Sequence, residues 1–291
     1  MKVAIIGNGN WGEALGQVLA DNRHQVSYWK EGKIIRGGVV LLAVPTPAIR
    51  QVLPYVTKSK NLIIINSAKG IENTTHQLPF QIVKEVLGKN IAYFSLIGPS
   101  FAEEVVKKMP TLVNLGYFNS HQQQLIKSLF QTPYFRLRLT KAVEAIELSG
   151  ALKNVYAIAC GLAEGLGFGA NTRAKLIVLA LEEIHRLIGK LGYKMDSLCT
   201  PGTLGDLILT STSFESRNYT FGSLLAKYSK EKSLAKVNST VEGYNTALSI
   251  PYFVKKTGFK LTLANLVCEI ISANSPKEAR SKFYKFVGGV N

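Results

Sequence analysis

The segment that most constrains this chain lies at its start. Val3-Ala4-Ile5-Ile6 is an apolar run of strand type that passes directly into Gly7-Asn8-Gly9-Asn10-Trp11-Gly12. Ala14, Leu15, Val18 and Leu19 then recur at helical spacing. Strand, glycine turn and helix in that order are the context a dinucleotide-binding turn requires. Gly7 permits a tight turn, Gly9 lets backbone approach a pyrophosphate, and Gly12 lets helix pack on strand. The free N–H groups and positive dipole end of the helix then face the phosphates. Gly-x-Gly-x-x-Gly arises by chance in loops, but these flanks favour a nucleotide site over a ligand-free turn.

The rest of the first half repeats the arrangement. Residues 25–29, 39–44, 62–66 and 92–97 read as strands, and 111–115 and 135–139 as further ones. Residues 48–55, 76–87, 103–107 and 122–129 fit helices between them. Repeated β-α-β units imply a mostly parallel sheet with helices on both faces. Only residues 30–38 separate the second strand from the third. A parallel crossover normally takes about a dozen residues or more, so the spacing predicts a loop where a helix is usual. From about residue 141 the period changes to 3.6, over 142–159, 176–191, 201–210, 221–228, 240–257, 263–273 and 276–286. The predicted fold is therefore an N-terminal Rossmann-like, doubly wound α/β domain (residues 1–140) followed by an all-α helical substrate domain (residues 141–291). Ligands of open α/β sheets bind outside the carboxyl ends of the strands, and the helical domain is expected to close over that edge.

Composition narrows the function. With 291 residues, 46% of them hydrophobic, the chain has material for a large core and two domains. No apolar run reaches membrane-span length. Cys160, Cys199 and Cys268 are odd in number and lack Cys-x-x-Cys spacing, so they read as three reduced thiols of a cytoplasmic protein. The four histidines are scattered, which argues against a metal site. Much of the net charge of +16 lies in basic runs such as 227–236, 255–256 and 277–285, which with their interspersed Glu look like solvated helix faces. Steering of anionic small molecules is the second reading of that charge. No basic run with interleaved aromatics supports a nucleic-acid partner.

Several residues carry chemistry. Between Gly150 and Ala163, Lys153 and Asn154 are the strongly polar side chains of an otherwise apolar helix. Lys153 either snorkels to the surface or sits in a dry cleft where desolvation tunes it as a general acid/base; the apolar surroundings favour the second. Asp206 and Thr210 are i and i+4 and share a helix face. Asp206 is either a surface carboxylate or one that orients Lys153 or a substrate hydroxyl. Ser216-Arg217-Asn218 suits a phosphate, through the planar Arg fork, but alone reads as a polar loop. Lys69 and Gly98-Pro99-Ser100 follow strand ends, where the ligand edge belongs.

These segments together resemble the NAD(P)-dependent sn-glycerol-3-phosphate dehydrogenases of bacterial type. The match runs nearly end to end: residues 7–15 (GNGNWGEAL), 43–45 (AVP), 67–72 (SAKGIE), 98–104 (GPSFAEE), 147–159 (ELSGALKNVYAIA), 205–212 (GDLILTST), 216–218 (SRN) and 241–243 (VEG). The resemblance implies reversible reduction of dihydroxyacetone phosphate to sn-glycerol 3-phosphate for glycerophospholipid synthesis. Carried over residue by residue, it implies Lys153 as the catalytic acid/base. Lys69, Gly98, Ser100, Asn154, Asp206, Thr210, Ser216, Arg217 and Asn218 would bind substrate. Gly7, Gly9, Asn10, Trp11, Gly12, Lys30, Lys69, Ala102, Arg217, Val241 and Glu242 would contact cofactor. A homodimer stands as an expectation. The alternatives are a reductase of another small phosphorylated or carboxylated keto compound, and a nucleotide-binding protein whose catalysis has decayed.

The chain departs from the family pattern in the short 30–38 connection, at Ile97, across residues 142–145, at Lys175 and 178–180, and at Thr203, none of which removes a proposed catalytic group. The second strand ends Tyr28-Trp29-Lys30-Glu31 rather than in a clean acidic residue. Lys30 suits a 2′-phosphate and Glu31 a free ribose; NADPH is favoured, with NADH also expected to serve.

Overall fold

The computed structural model describes residues 1–118, 121–195 and 197–288. The chain divides into two compact units: Met1–Glu147 with Thr200–Gly202, and Leu148–Cys199 with the chain from Thr203 on. In the first unit the order is β1 (Lys2–Ile6), α1 (Asn10–Asp21), β2 (Gln25–Tyr28), β3 (Ile35–Arg36), β4 (Val39–Leu42), α2 (Thr46–Val52), β5 (Val56–Thr57) and β6 (Ile63–Asn66). Then come α3 (Pro79–Leu87), β7 (Ala92–Ile97), α4 (Ala102–Val106), β8 (Thr111–Tyr117), α5 (Gln123–Phe130), β9 (Phe135–Thr140) and the start of α6 (Val143–Gly165).

Seven strands form one sheet in the order β2-β1-β4-β6-β7-β8-β9. β2, β1, β4, β6 and β7 are mutually parallel, and β8 runs antiparallel to β7. The expected Rossmann-like sheet is therefore present, with one direction change that the apolar runs did not signal. Every residue of β4 and β6 is buried, as parallel strands covered on both faces are. Ala14, Leu15, Val18 and Leu19 of α1 are fully buried in the same cluster as Val3 and Ile5 of β1. The strand order reverses between β1 and β4, so the carboxyl ends of these two strands mark the switch point at which open α/β sheets bind ligands.

The short connection after β2 is more than a loop. β3 pairs with β5 in a separate two-stranded sheet. The Trp29 ring packs on Tyr55 at 5.3 Å, and its Nε1 donates to the Lys33 carbonyl at 2.6 Å. The helix expected from residue 76 begins instead at Pro79, and His76 sits in a left-handed turn at φ 57°. Proline at a first helical position lacks only an N–H that the helix leaves unused, so the helix starts there.

The second unit continues α6 and adds α7 (Ala170–Lys190), α8 (Asp206–Thr212), α9 (Arg217–Leu225), α10 (Lys230–Val237), α11 (Glu242–Ala247), α12 (Ile250–Thr257), α13 (Thr262–Ile271) and α14 (Pro276–Gly288). Residues 148–163 of α6 are buried without exception, the mark of a central helix. A methyl group on Gly161 would overlap the Tyr219 carbonyl, and one on Gly222 would overlap Ile158. The backbones of α6 and α9 thus touch, which draws the start of α9 beside Asn154.

Several helix limits differ from those expected. α7 starts at Ala170 rather than 176, because Ala170-Asn171-Thr172-Arg173 hides the apolar period. α9 starts at Arg217 rather than 221, because the Ser216 hydroxyl caps it by accepting from the Tyr219 N–H. The helix expected over 240–257 is two, α11 and α12. Pro251 lies in the first turn of α12, where it cannot supply the N–H that would continue α11. The stretch 201–210 opens with one π turn over Pro201–Gly205 before α8.

Candidate active site

Each unit carries a cluster of the residues singled out above. In the first, the glycine turn separates into two kinds of requirement. Gly7 has φ 114°, and a Cβ there would lie 2.5 Å from the Ala43 carbonyl oxygen, so the turn needs glycine to let β1 and β4 end side by side. A methyl on Gly12 would enter the Gly7 carbonyl. Gly9 is different: its backbone is extended, with φ −78° and ψ 174°, and a Cβ there would meet nothing within 4 Å. No neighbour among the described residues requires glycine there on steric grounds, whereas a phosphate lying against the backbone would. The N-terminus of α1 has no side-chain cap, so its first N–H groups are available to an anion.

Asn10 is exposed beside this turn, and Trp11 is half-buried against the core cluster. Asn10, Glu13, Ala102, Glu103, Val106 and Lys107 line an open pocket of about 250 Å³. Lys30 is exposed just beyond β2. At the neighbouring strand ends, Lys69 Nζ donates to the Gly98 carbonyl at 2.7 Å, and the Ser100 hydroxyl donates to the same oxygen at 3.2 Å. Lys69, Gly98 and Ser100 are therefore one group, and the turn beside them fits a dinucleotide.

In the second unit Lys153 is 6% exposed and does not snorkel. Its Nζ lies 2.5 Å from Asp206 Oδ1 and 2.6 Å from Thr210 Oγ1. Asp206 and Thr210, one turn apart on α8, are 3.5 Å from each other through the same atoms. Asp206 is 1% exposed, so it is not a surface carboxylate. Two charges buried together demand each other, since either alone would be left desolvated and unpaired. The arrangement is chemically a proton donor fixed by a carboxylate and a hydroxyl.

A second group adjoins it on the same helix. Asn154 Oδ1 accepts from Asn218 Nδ2 at 2.9 Å, and Asn154 Nδ2 donates to Glu242 Oε2 at 3.4 Å. Asn218 Oδ1 accepts the Gly243 N–H at 2.8 Å, while Val241, buried, precedes α11 as its N-cap. Arg217 projects as the first residue of α9 and donates to the Ser239 hydroxyl at 2.8 Å in an exposed position. Its fork is thus held without being buried. Ser216 spends its hydroxyl as the cap of α9.

Two features escaped the sequence reading. Ser239 as the partner of Arg217 left no pattern. Glu147, 1% exposed, accepts from Asn66, the Phe80 N–H, Tyr93 and Ser95, and burial pushes its carboxyl up to about 7. A signal for it existed, because it is a charged residue in the same apolar helical stretch as Lys153. Among the described residues no group of His, Cys, Asp or Glu is arranged to hold a metal ion.

Comparison with known proteins identifies the family and the fold. The family model described as NAD-dependent glycerol-3-phosphate dehydrogenase N-terminus matches residues 2–37 and 34–123, and the corresponding C-terminus model matches residues 142–281. A glycerol-3-phosphate dehydrogenase (NAD(P)+) of Staphylococcus saprophyticus is 32% identical, aligning 97% of this chain and 96% of its own. That of Geobacillus kaustophilus is 34% identical, aligning 96% and 92%. The crystal structure of glycerol-3-phosphate dehydrogenase from Coxiella burnetii superposes with a TM-score of 0.87 at 27% identity, covering 98% of each chain.

Proposed function

The chain belongs to the NAD-dependent glycerol-3-phosphate dehydrogenase family, and we propose that it reversibly reduces dihydroxyacetone phosphate to sn-glycerol 3-phosphate. The observation that carries the mechanism is the buried Lys153–Asp206–Thr210 cluster. In the reducing direction Lys153 donates a proton to the carbonyl oxygen of the substrate. Asp206 and Thr210 fix its ammonium so that the proton is aimed rather than mobile. Lys69, Gly98 and Ser100 hold the substrate, and Asn154, Ser216, Arg217 and Asn218 complete its binding, with the Arg217 fork for the phosphate. Gly7, Gly9, Asn10, Trp11 and Gly12 receive the pyrophosphate, and Lys69, Ala102, Arg217, Val241 and Glu242 also contact the cofactor. The bound nicotinamide supplies the hydride. Lys30 favours NADPH, with NADH accepted.

In this reading residues 1–140 receive the pyrophosphate of the dinucleotide, and residues 141–291 carry the proton chemistry and the further cofactor contacts of Arg217, Val241 and Glu242. No helix among the described residues is long and apolar enough to cross a membrane. The reading places the enzyme in the cytoplasm and allows a homodimer, which sedimentation decides. The test of function is oxidation of NADPH or NADH on addition of dihydroxyacetone phosphate, followed by absorbance. Folded protein without activity overturns the proposal, and preferential turnover of an unphosphorylated keto acid replaces the substrate. Lys153→Ala is expected to abolish turnover while cofactor affinity is kept; substantial residual turnover removes Lys153 from its role.

A further inference from the structure

Glu147 has no part in the reaction just described, yet its carboxylate is a junction of three elements. Oε1 accepts from Asn66 Nδ2 at 3.3 Å, from Ser95 Oγ at 2.8 Å and from the Tyr93 hydroxyl; Oε2 accepts the Phe80 N–H at 3.0 Å. Asn66 ends β6 and shapes the turn that follows. Its side-chain oxygen accepts the Ala68 N–H at 2.9 Å, and its amide donates to the Ala68 carbonyl at 3.1 Å. The next residue is Lys69, which reaches the Gly98 carbonyl one residue beyond β7. Tyr93 and Ser95 lie on β7 itself. Both arms of the Lys69–Gly98 pair are therefore tied to one buried carboxylate, one arm through Asn66 and the other through β7.

We propose that Glu147 is a positioning residue that holds the Lys69–Gly98 pair in the geometry that receives substrate. The proposal rests on the reading that Lys69, Gly98 and Ser100 bind substrate. The hydrogen-bond inventory gives it a pH signature. Asn66 Nδ2 and the Phe80 N–H can only donate, whereas the hydroxyls of Tyr93 and Ser95 can turn and accept. The carboxylate serves all four; the neutral acid must itself donate and surrenders acceptor capacity. With the carboxyl pushed up to about 7 by burial, the change falls near neutrality. Among the described residues, the other ionisable groups coupled to it are Tyr93 from β7, which bonds it, and Lys84 from α3, which also feels Glu144 on α6. The Lys84 ammonium lies 3.4 Å from the centre of the Phe118 ring.

The experiment is Glu147→Gln in the full chain, with KM and kcat for dihydroxyacetone phosphate measured between about pH 6 and pH 8.5. Glutamine keeps the shape and mimics the neutral acid. The ratio of variant to wild-type KM is expected to reach about fivefold or more at the alkaline end, the scale of one hydrogen bond, and to fall toward one at the acid end. Titration of the substrate phosphate cancels in that ratio. A ratio of one throughout, or a constant offset accompanied by a lower Tm, overturns the proposal, because a purely structural role has no such profile. Lys69→Ala separates the two layers of inference. If it leaves KM unchanged, the substrate reading fails and takes the proposal with it. If it raises KM while Glu147→Gln does not, the proposal alone fails. Should Glu147→Gln not fold, Tyr93→Phe is expected to give the same profile in milder form, and an unchanged KM in it overturns the proposal.

Discussion

Gly9 and Gly12 sit three residues apart in one motif, and the structure predicts opposite consequences for replacing them by alanine. At Gly12 the new methyl enters the Gly7 carbonyl, 3.1 Å from its carbon, and both groups are backbone that no rotamer change can move. α1 has to shift off β1, and overpacking of this kind costs about 3 kcal/mol, more than the roughly 1 kcal/mol that alanine returns in a helix interior. At Gly9 the methyl meets nothing within 4 Å and φ −78° suits any residue. Alanine restricts the unfolded chain by about 0.5 kcal/mol and is a poorer N-cap than glycine by a similar amount, so stability is expected to change by less than about 0.5 kcal/mol. With roughly 2–4 °C of Tm per kcal/mol for chains of about this size, Gly12→Ala lowers Tm clearly and Gly9→Ala hardly at all. Cofactor affinity reverses the order of interest: a methyl under the pyrophosphate is expected to weaken NADPH binding about tenfold or more, which is about 1.4 kcal/mol. Thermal melts and titration of NADPH fluorescence read the two effects. Wild-type NADPH affinity in Gly9→Ala would refute the argument, because the dinucleotide would then not pass over that backbone.

Other outcomes follow from buried charge and exposure. Asp206→Ala strands the Lys153 ammonium and is expected to lose about 3–5 kcal/mol in urea denaturation, most of it recovered when Lys153→Met is added; a single variant as stable as wild type contradicts the buried pair. Glu147 titrates at about 7 in the folded chain against 4.5 unfolded. The folded state therefore holds the proton more tightly, and the stabilisation present below about pH 4.5 is lost as pH rises through 7. Some 2.5 pH units at about 1.4 kcal/mol each give roughly 3 kcal/mol. Wild type is thus expected to lose about that much relative to Glu147→Gln between pH 4.5 and 8, and parallel stability curves would exclude it. Cys199 is exposed and is expected to react first with an aromatic disulfide. Burial pushes Cys160 up to about 12 and the half-buried Cys268 to about 11, so Cys160 resists until the chain unfolds and Cys268 reacts more slowly than Cys199; equal rates for all three would contradict this order.

The legible parts of this molecule are those in which a local rule leaves a local trace. The run at 39–44 reads as a buried strand because both faces of β4 are covered and no polar residue interrupts it. The glycine turn is legible because its three glycines fall within six residues between a strand and a helix, although the neighbour that Gly7 must clear, the Ala43 carbonyl, lies on distant β4. The pairing of Asp206 with Thr210 is legible because a helix turn brings i and i+4 together. Where a boundary depended on something outside the local pattern, the reading slipped. α7 begins six residues before its apolar period starts, and α9 begins at a serine cap rather than at its first apolar residue. β8 has the same apolar character whichever way it runs, so its antiparallel pairing with β7 left no trace in composition. The β3–β5 pair is two residues on each strand, too short for any period.

The same division holds for the chemistry. By itself the sequence determined that a Gly-x-Gly-x-x-Gly turn between a strand and a helix opens the chain, that Lys153 stands on an apolar helix, and that Asp206 shares a face with Thr210. The tertiary structure alone decided that Lys153 and Asp206, 53 positions apart, close to 2.5 Å in a buried pair. It also decided that Gly9 is the glycine of its motif for which the protein has no steric use, and that Glu147 gathers donors from β6, α3 and β7. The physical reason is range. Helix periodicity, capping and backbone sterics act over a few residues and are written in order along the chain. The satisfaction of a buried charge depends on which distant groups the packed fold delivers to it.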